Sequence, residues 1–213
     1  MSPVFTWFPL YHLPPVPESY ADHITRSLDQ AGHMPRDDYF EKKWASRQKF
    51  HGRTLTLADG RQMRSLPADH MAMPASWRPW AEDNITKNII ESSVRYTLPG
   101  TDSDHWGAHC DIQKVYKFFY IIKDGGPDCV TTWYQEQGKP LCRESETRDF
   151  EHMVHCTDYA RLTVIDSARL PVKQWIFFNT QILHGVENIS EMRASIQISV
   201  PWKIDCLKSA SQA

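Results

Sequence analysis

The chain predicts a mainly β fold, an antiparallel sandwich or barrel of which the jelly roll is one form. Three observations carry this. From Asn88 onward, short runs rich in β-branched and aromatic residues follow one another (NIIESSVRYTLPG, KVYKFFYII, CVTTWY, RLTVID, QWIFFN and RASIQISV), separated by Gly, Pro and Asp clusters. No amphipathic helical pattern lies between them, so parallel βαβ units are excluded and hairpins or crossovers must join the strands. At 213 residues with 41% hydrophobic content, the chain is long enough to bury one core. The expectation is a single domain over 1–213, with an N-terminal section over 1–87 and the β-rich core over 88–205.

In chain order, residues 3 to 13 read as a strand, and a proline turn then leads into a helix from Glu18 to Ala31. Ile24 and Leu28 fall four apart on one face of that helix, and Gly32 stops it. The basic stretch FEKKWASRQKFHGR is a solvated helix face or a lid that meets an anionic substrate. In TLTLADGRQMR, Ala-Asp-Gly between two alternating runs signals a hairpin. A short helix is expected over PASWRPWAEDNI, with Pro74 at its start. The N-terminal section therefore supplies a few supporting helices, and residues 35–73 are where substrate selectivity is expected to reside.

Composition narrows the function. The chain has 24 basic and 26 acidic residues and no Lys/Arg block, which points away from nucleic acid and toward a small-molecule partner. The cysteines, Cys110, Cys129, Cys142, Cys156 and Cys206, are odd in number and never in a C-x-x-C pair, against both a disulfide framework and a zinc knuckle. The apolar start is broken by Pro9, Pro14 and Pro15, unlike a signal peptide, and no run reaches the ~18 residues of a membrane span. A cytoplasmic protein with no membrane partner is expected.

The stretch HWGAHCDIQK carries the chemistry. On a strand, side chains at i and i+2 leave the same face, so His109 and Asp111 can point together at one spot. A metal there needs a third ligand from far along the chain. The best candidate is His184, which follows the apolar run QWIFFN and lies several strands beyond His109. Together they make a 2-His-1-carboxylate triad, which holds Fe(II) on one face and leaves open positions for chemistry. Nine residues after His184 comes Arg193-Ala194-Ser195, a guanidinium fork and a hydroxyl on one strand face, suited to gripping a carboxylate. His152 and His155, at helical spacing beside Cys156, are a competing zinc pair that lacks a fourth partner.

H-x-D, a distant His and then R-x-S resembles the iron(II)- and 2-oxoglutarate-dependent oxygenases, and the local texture is similar to their prolyl-hydroxylase-like branch. The matching elements are YTLPG (96–100), His109-Cys110-Asp111, KFFYIIKDGG (117–126) and WIFFNTQILHGV (175–186), within roughly Val94 to Val200. The resemblance implies a double-stranded β-helix (jelly roll, cupin-like) and Fe(II) on His109, Asp111 and His184. It further implies 2-oxoglutarate with its distal carboxylate on Arg193 and Ser195, helped by the Tyr120 hydroxyl. Val186 would pack on the cosubstrate, and Tyr96 and Leu98 would line the pocket. The implied activity consumes O2 and 2-oxoglutarate, releases succinate and CO2, and oxidises a C–H bond of a small molecule or amino-acid-like substrate, most often by hydroxylation. Retention of Asp111 argues against halogenation, whereas desaturation, ring closure and demethylation share this ligand set. A zinc-dependent hydrolase or cupin-type isomerase on the same three ligands is the alternative, and Arg193 with Ser195 discriminates against it.

Overall fold

A computed structural model of the chain describes residues 5–32, 54–56, 62–64, 69–71, 73–97, 106–111, 116–138, 143–144, 153–155 and 159–201. The elements begin with β1 (Trp7–Pro9), α1 (Glu18–Gly32), β2 (Thr54–Thr56), β3 (Gln62–Arg64), β4 (Asp69–Met71) and α2 (Trp77–Asn84). The β-rich part follows with β5 (Glu91–Thr97), β6 (Trp106–Asp111), β7 (Tyr116–Asp124), β8 (Val130–Glu136), β9 (Arg143–Glu144) and β10 (Met153–His155). After a 3-10 turn at Tyr159–Arg161 come β11 (Leu162–Ala168), β12 (Trp175–Asn179), β13 (Leu183–Glu187) and β14 (Arg193–Val200).

Two six-stranded antiparallel sheets result, ordered β1-β12-β7-β14-β5-β4 and β11-β8-β13-β6-β10-β9. From β5 to β8 the chain changes sheet at every strand, and it does so again from β11 to β14. The eight central strands thus form β12-β7-β14-β5 facing β11-β8-β13-β6, the double-stranded β-helix or jelly roll. Strands β2 and β3 pair as the hairpin expected around Ala-Asp-Gly, and their connection lies outside the described residues.

The first sheet is buried on both faces. Its outer face carries Val94, Phe118, Phe177, Ile196 and Ile198, packed under Ile24 and Leu28 of α1 and Trp77 and Ala81 of α2. Ile24 and Leu28 are fully buried, as their four-residue spacing predicts, and truncating such a side chain to Ala costs about 2–5 kcal/mol. The Trp77 indole also donates to Ser92 Oγ at 2.7 Å, tying α2 to β5. Helix α2 begins three residues later than Pro74. Pro79, in its first turn, sits where a missing N–H removes no helical bond.

The first strand is shorter than the expected 3–13. Pro9 cannot donate to a ladder, and a turn closes when Leu13 N–H donates to the Leu10 carbonyl at 3.3 Å. Met153–His155 is a strand paired with β6, so the helical spacing read for His152 and His155 does not apply to it. His152, Leu98, His105 and the basic 42–53 stretch lie outside the described residues.

Candidate metal and anion site

The H-x-D stretch lies on β6, whose last residue is Asp111. In the ladder between β13 and β6, His184 stands opposite His109, and directly paired residues share a face. Both imidazoles are buried, and their ring centroids are 4.5 Å apart at an interplanar angle of 49°. His184 Nδ1 lies 2.8 Å from the Ile182 carbonyl oxygen. A carbonyl can only accept, so Nδ1 carries the proton and the ring's lone pair belongs to Nε2, the tautomer a ligating histidine needs. Phe178 fixes the ring from the side, edge-on at 4.8 Å between centroids.

These histidines face a cavity of about 80 Å³ between the two sheets. Its far end is built around Arg193. One terminal nitrogen, Nη1, donates to the Asp124 carbonyl at 3.0 Å and to Cys129 Sγ at 3.2 Å, and Nη2 donates to Thr131 Oγ1 at 3.0 Å. All three acceptors are neutral. Burial pushes the Cys129 thiol up in pKa, against the opposing pull of the Arg193 charge, so the sulfur is not a thiolate counter-ion. The Asp124 carboxylate is turned to Arg169 at 2.5 Å, whose hydrogen bond lowers its pKa. Arg193 therefore has no carboxylate partner among the described residues. Of its five N–H donors, three are used by these bonds, and Nε–H and one Nη2–H remain.

The guanidinium lies at the level of Thr131, and His184 is opposite Trp133, two residues further along β8. At ~3.4 Å per residue the rise is about 7 Å. An extended five-carbon chain with ~1.5 Å bonds measures about 5 Å between its end carbons, the same order as that rise.

Ser195 and Val186 line the cavity with Arg193 and the two histidines, and Ser195 Oγ accepts from the Gln197 amide at 3.2 Å. Tyr120 and Tyr96, expected to help bind and line, do not face the cavity. Tyr120 packs at 5.0 Å on Trp175, and both tyrosines join the cluster under α1 and α2 on the outer face of the first sheet. Burial raises the pKa of both phenols. The correction is one residue of strand parity: on β5 it is Arg95 and Thr97 that turn inward, and on β7 it is Lys117 and Phe119.

Strand β14 held the missing signal. Its inward residues Arg193, Ser195, Gln197 and Ser199 are polar, and its outward ones Ala194, Ile196, Ile198 and Val200 apolar. Pairing transfers that alternation to its neighbours: Ser195 is opposite Arg95, Gln197 opposite Phe119 and Ser199 opposite Lys117. Among the described residues, the cavity lining holds three cations, Arg95, Lys117 and Arg193, and no carboxylate.

No protein-family model matches the chain, and no curated protein sequence is similar to it. Among solved structures, Escherichia coli ycfD is similar at 14% identity and a TM-score of 0.34, over 64% of this chain and 32% of its own, so this chain spans about a third of ycfD. The non-heme alpha-ketoglutarate-dependent carbocyclase SnoK of nogalamycin biosynthesis is similar at 10% identity and a TM-score of 0.48, over 98% of this chain and 87% of its own. A Pseudomonas putida prolyl-4-hydroxylase is similar at 7% identity and a TM-score of 0.41, over 92% of each chain. Likenesses this loose place no residue. Among the described residues, no helix is long and apolar enough to cross a membrane.

Proposed function

We propose that the protein is a non-haem Fe(II)/2-oxoglutarate-dependent dioxygenase that oxidises a C–H bond of a small molecule or amino-acid-like substrate, with hydroxylation as the outcome. The observation that carries this reading is Arg193. A half-buried guanidinium held by three neutral acceptors, with two donors unspent among the described residues, suits an anion. It lines the same cavity as His109 and His184, so a keto acid gripped there by one carboxylate would reach toward a metal with its other end.

In this reading His109 and His184 hold Fe(II) through Nε2, together with Asp111 from the same strand as His109. Fe(II) so held supplies the oxidation of the substrate by O2, coupled to loss of CO2 from 2-oxoglutarate and release of succinate. The protein's own contribution is placement. Arg193 and Ser195 fix the distal carboxylate, the Asp124 carbonyl, Cys129 and Thr131 hold the guanidinium in plane, and Val186 and Phe119 wall the chain of the keto acid from water. A zinc-dependent hydrolase or isomerase on the same ligands has no use for an arginine in the same cavity that has no carboxylate partner among the described residues.

The test is anaerobic. Fe(II) and then 2-oxoglutarate are added to metal-free protein, and the visible charge-transfer band of a chelated keto acid is followed in wild type and Arg193→Ala. The expected result is a band that needs both additions, with a requirement for 2-oxoglutarate in the variant raised about 100-fold, as for two charge-assisted hydrogen bonds lost. Absence of the band in folded, iron-loaded wild type overturns the reading.

A further inference from the structure

Gln197 lies on the inward face of β14, two residues beyond Ser195, and is half-buried in the cavity lining. Its ladder partners are Phe119 on β7 and Ser93 on β5. Residues two apart on a strand are separated by about 7 Å, so the side chain folds back along its own strand to bring Nε2 within 3.2 Å of Ser195 Oγ. Folding back carries the amide toward Arg193, which is two residues beyond Ser195 on the same face. It is the nitrogen that faces the hydroxyl, and an amide nitrogen only donates. One lone pair of Oγ is thereby occupied, and the Ser195 proton has to go elsewhere. Neither that proton nor the rest of the Gln197 amide has a partner among the described residues. Ser195 is buried, and the cavity it lines is the one that holds the unspent donors of Arg193.

We propose that Gln197 is a positioning residue: by donating to Ser195 Oγ it turns the hydroxyl proton toward the anion on Arg193. A hydroxyl that accepts a hydrogen bond is also a stronger donor, because bonds in a row polarise one another. The amide thus acts on the ligand through Ser195 and not by its own contact. This inference rests on the reading of Arg193 and Ser195 as a carboxylate grip, but its test needs neither metal nor turnover.

Glutarate, a dicarboxylate with the carbon skeleton of 2-oxoglutarate, is titrated calorimetrically into metal-free wild type, Gln197→Met, Ser195→Ala and the double variant. Ser195→Ala is expected to weaken binding about tenfold, as for one hydrogen bond to a charged group, and Gln197→Met about fourfold, as for a bond between neutral groups. If Gln197 acts through Ser195, the double variant matches Ser195→Ala within about twofold, whereas independent effects multiply to about 40-fold. A disturbance of packing by Gln197→Met would also multiply, so the cycle separates positioning from structure. Effects that multiply, Gln197→Met indistinguishable from wild type, or no glutarate binding by wild type overturns the proposal. Multiplying effects in a protein that shows the charge-transfer band with Fe(II) and 2-oxoglutarate would refute this inference alone. A double variant that matches Ser195→Ala, in a protein without the band, would keep this inference and refute the oxygenase reading alone.

Discussion

Gly125 joins the fold to the anion end of the cavity, and Gly125→Ala tests that link. The residue follows β7 with φ +93°, a conformation that costs an L-residue about 1–3 kcal/mol. Its carbonyl accepts from the Ser190 and Glu191 amides at 2.9 and 3.0 Å, which ties this turn to the loop that leads into Arg193. A Cβ there would lie 2.8 Å from Cys129 Sγ and 3.1 Å from Arg193 Cβ. Neither neighbour has slack, because Cys129 is buried and Arg193 is held at three points. Overpacking of this kind adds about 1–3 kcal/mol, so the total is about 2–6 kcal/mol. For a chain of this size that lowers Tm by roughly 4–24 °C. The displaced guanidinium also weakens keto-acid binding, by at least about fivefold for one distorted charge-assisted bond. Thermal unfolding and the anaerobic 2-oxoglutarate titration read the two effects separately. A Tm within about 2 °C of wild type would refute the packing argument. A large fall in Tm with unchanged affinity in the folded fraction would refute the connection between this turn and the site.

Three further outcomes are expected. Thr131→Val removes the Oγ1 that accepts from Arg193 Nη2 while keeping the side-chain shape; it should weaken 2-oxoglutarate binding about fivefold and change urea stability by less than about 1.5 kcal/mol. Tyr134→Phe deletes the hydroxyl that donates to the Glu187 carboxylate, where both residues are nearly fully buried, and should cost about 1–3 kcal/mol in urea unfolding. The Cys129 thiol has its folded pKa raised by burial, so its stabilising contribution is complete below the ordinary value of 9.0 and is lost as pH rises from there toward the folded value. Stability measured between pH 9.0 and 10.0 should therefore fall more steeply in wild type than in Cys129→Ala, and equal slopes would show that the thiol is not desolvated.

The jelly-roll strands were legible because each run after Asn88 is short, β-branched and bounded by turn residues. Helix α1 was legible through Ile24 and Leu28. His109, His184, Arg193 and Ser195 were legible as a spaced set, and they surround one cavity. The inward face of β5 and β7 was not. A sheet covered by helices on one side and by a second sheet on the other buries both faces, so YKFFYII shows no polar alternation to mark the interior. The resemblance puts Tyr96 and Tyr120 in the pocket, and nothing in the pattern of these two strands points to Arg95 and Lys117 instead. The pairing register of β14, whose Arg-Ser-Gln-Ser face is polar, supplies the parity that the individual strands lack.

The central claim is that one cavity holds a metal on the histidines and a keto acid stretched to Arg193. The most direct measurement is an anaerobic crystal structure with Mn(II) and 2-oxoglutarate, with the metal located by its anomalous scattering. The account predicts one metal bound by His109 Nε2, His184 Nε2 and Asp111, and a distal carboxylate on the Nε and Nη2 edge of Arg193. A metal elsewhere, or a keto acid that leaves Arg193 without an anion, would contradict it.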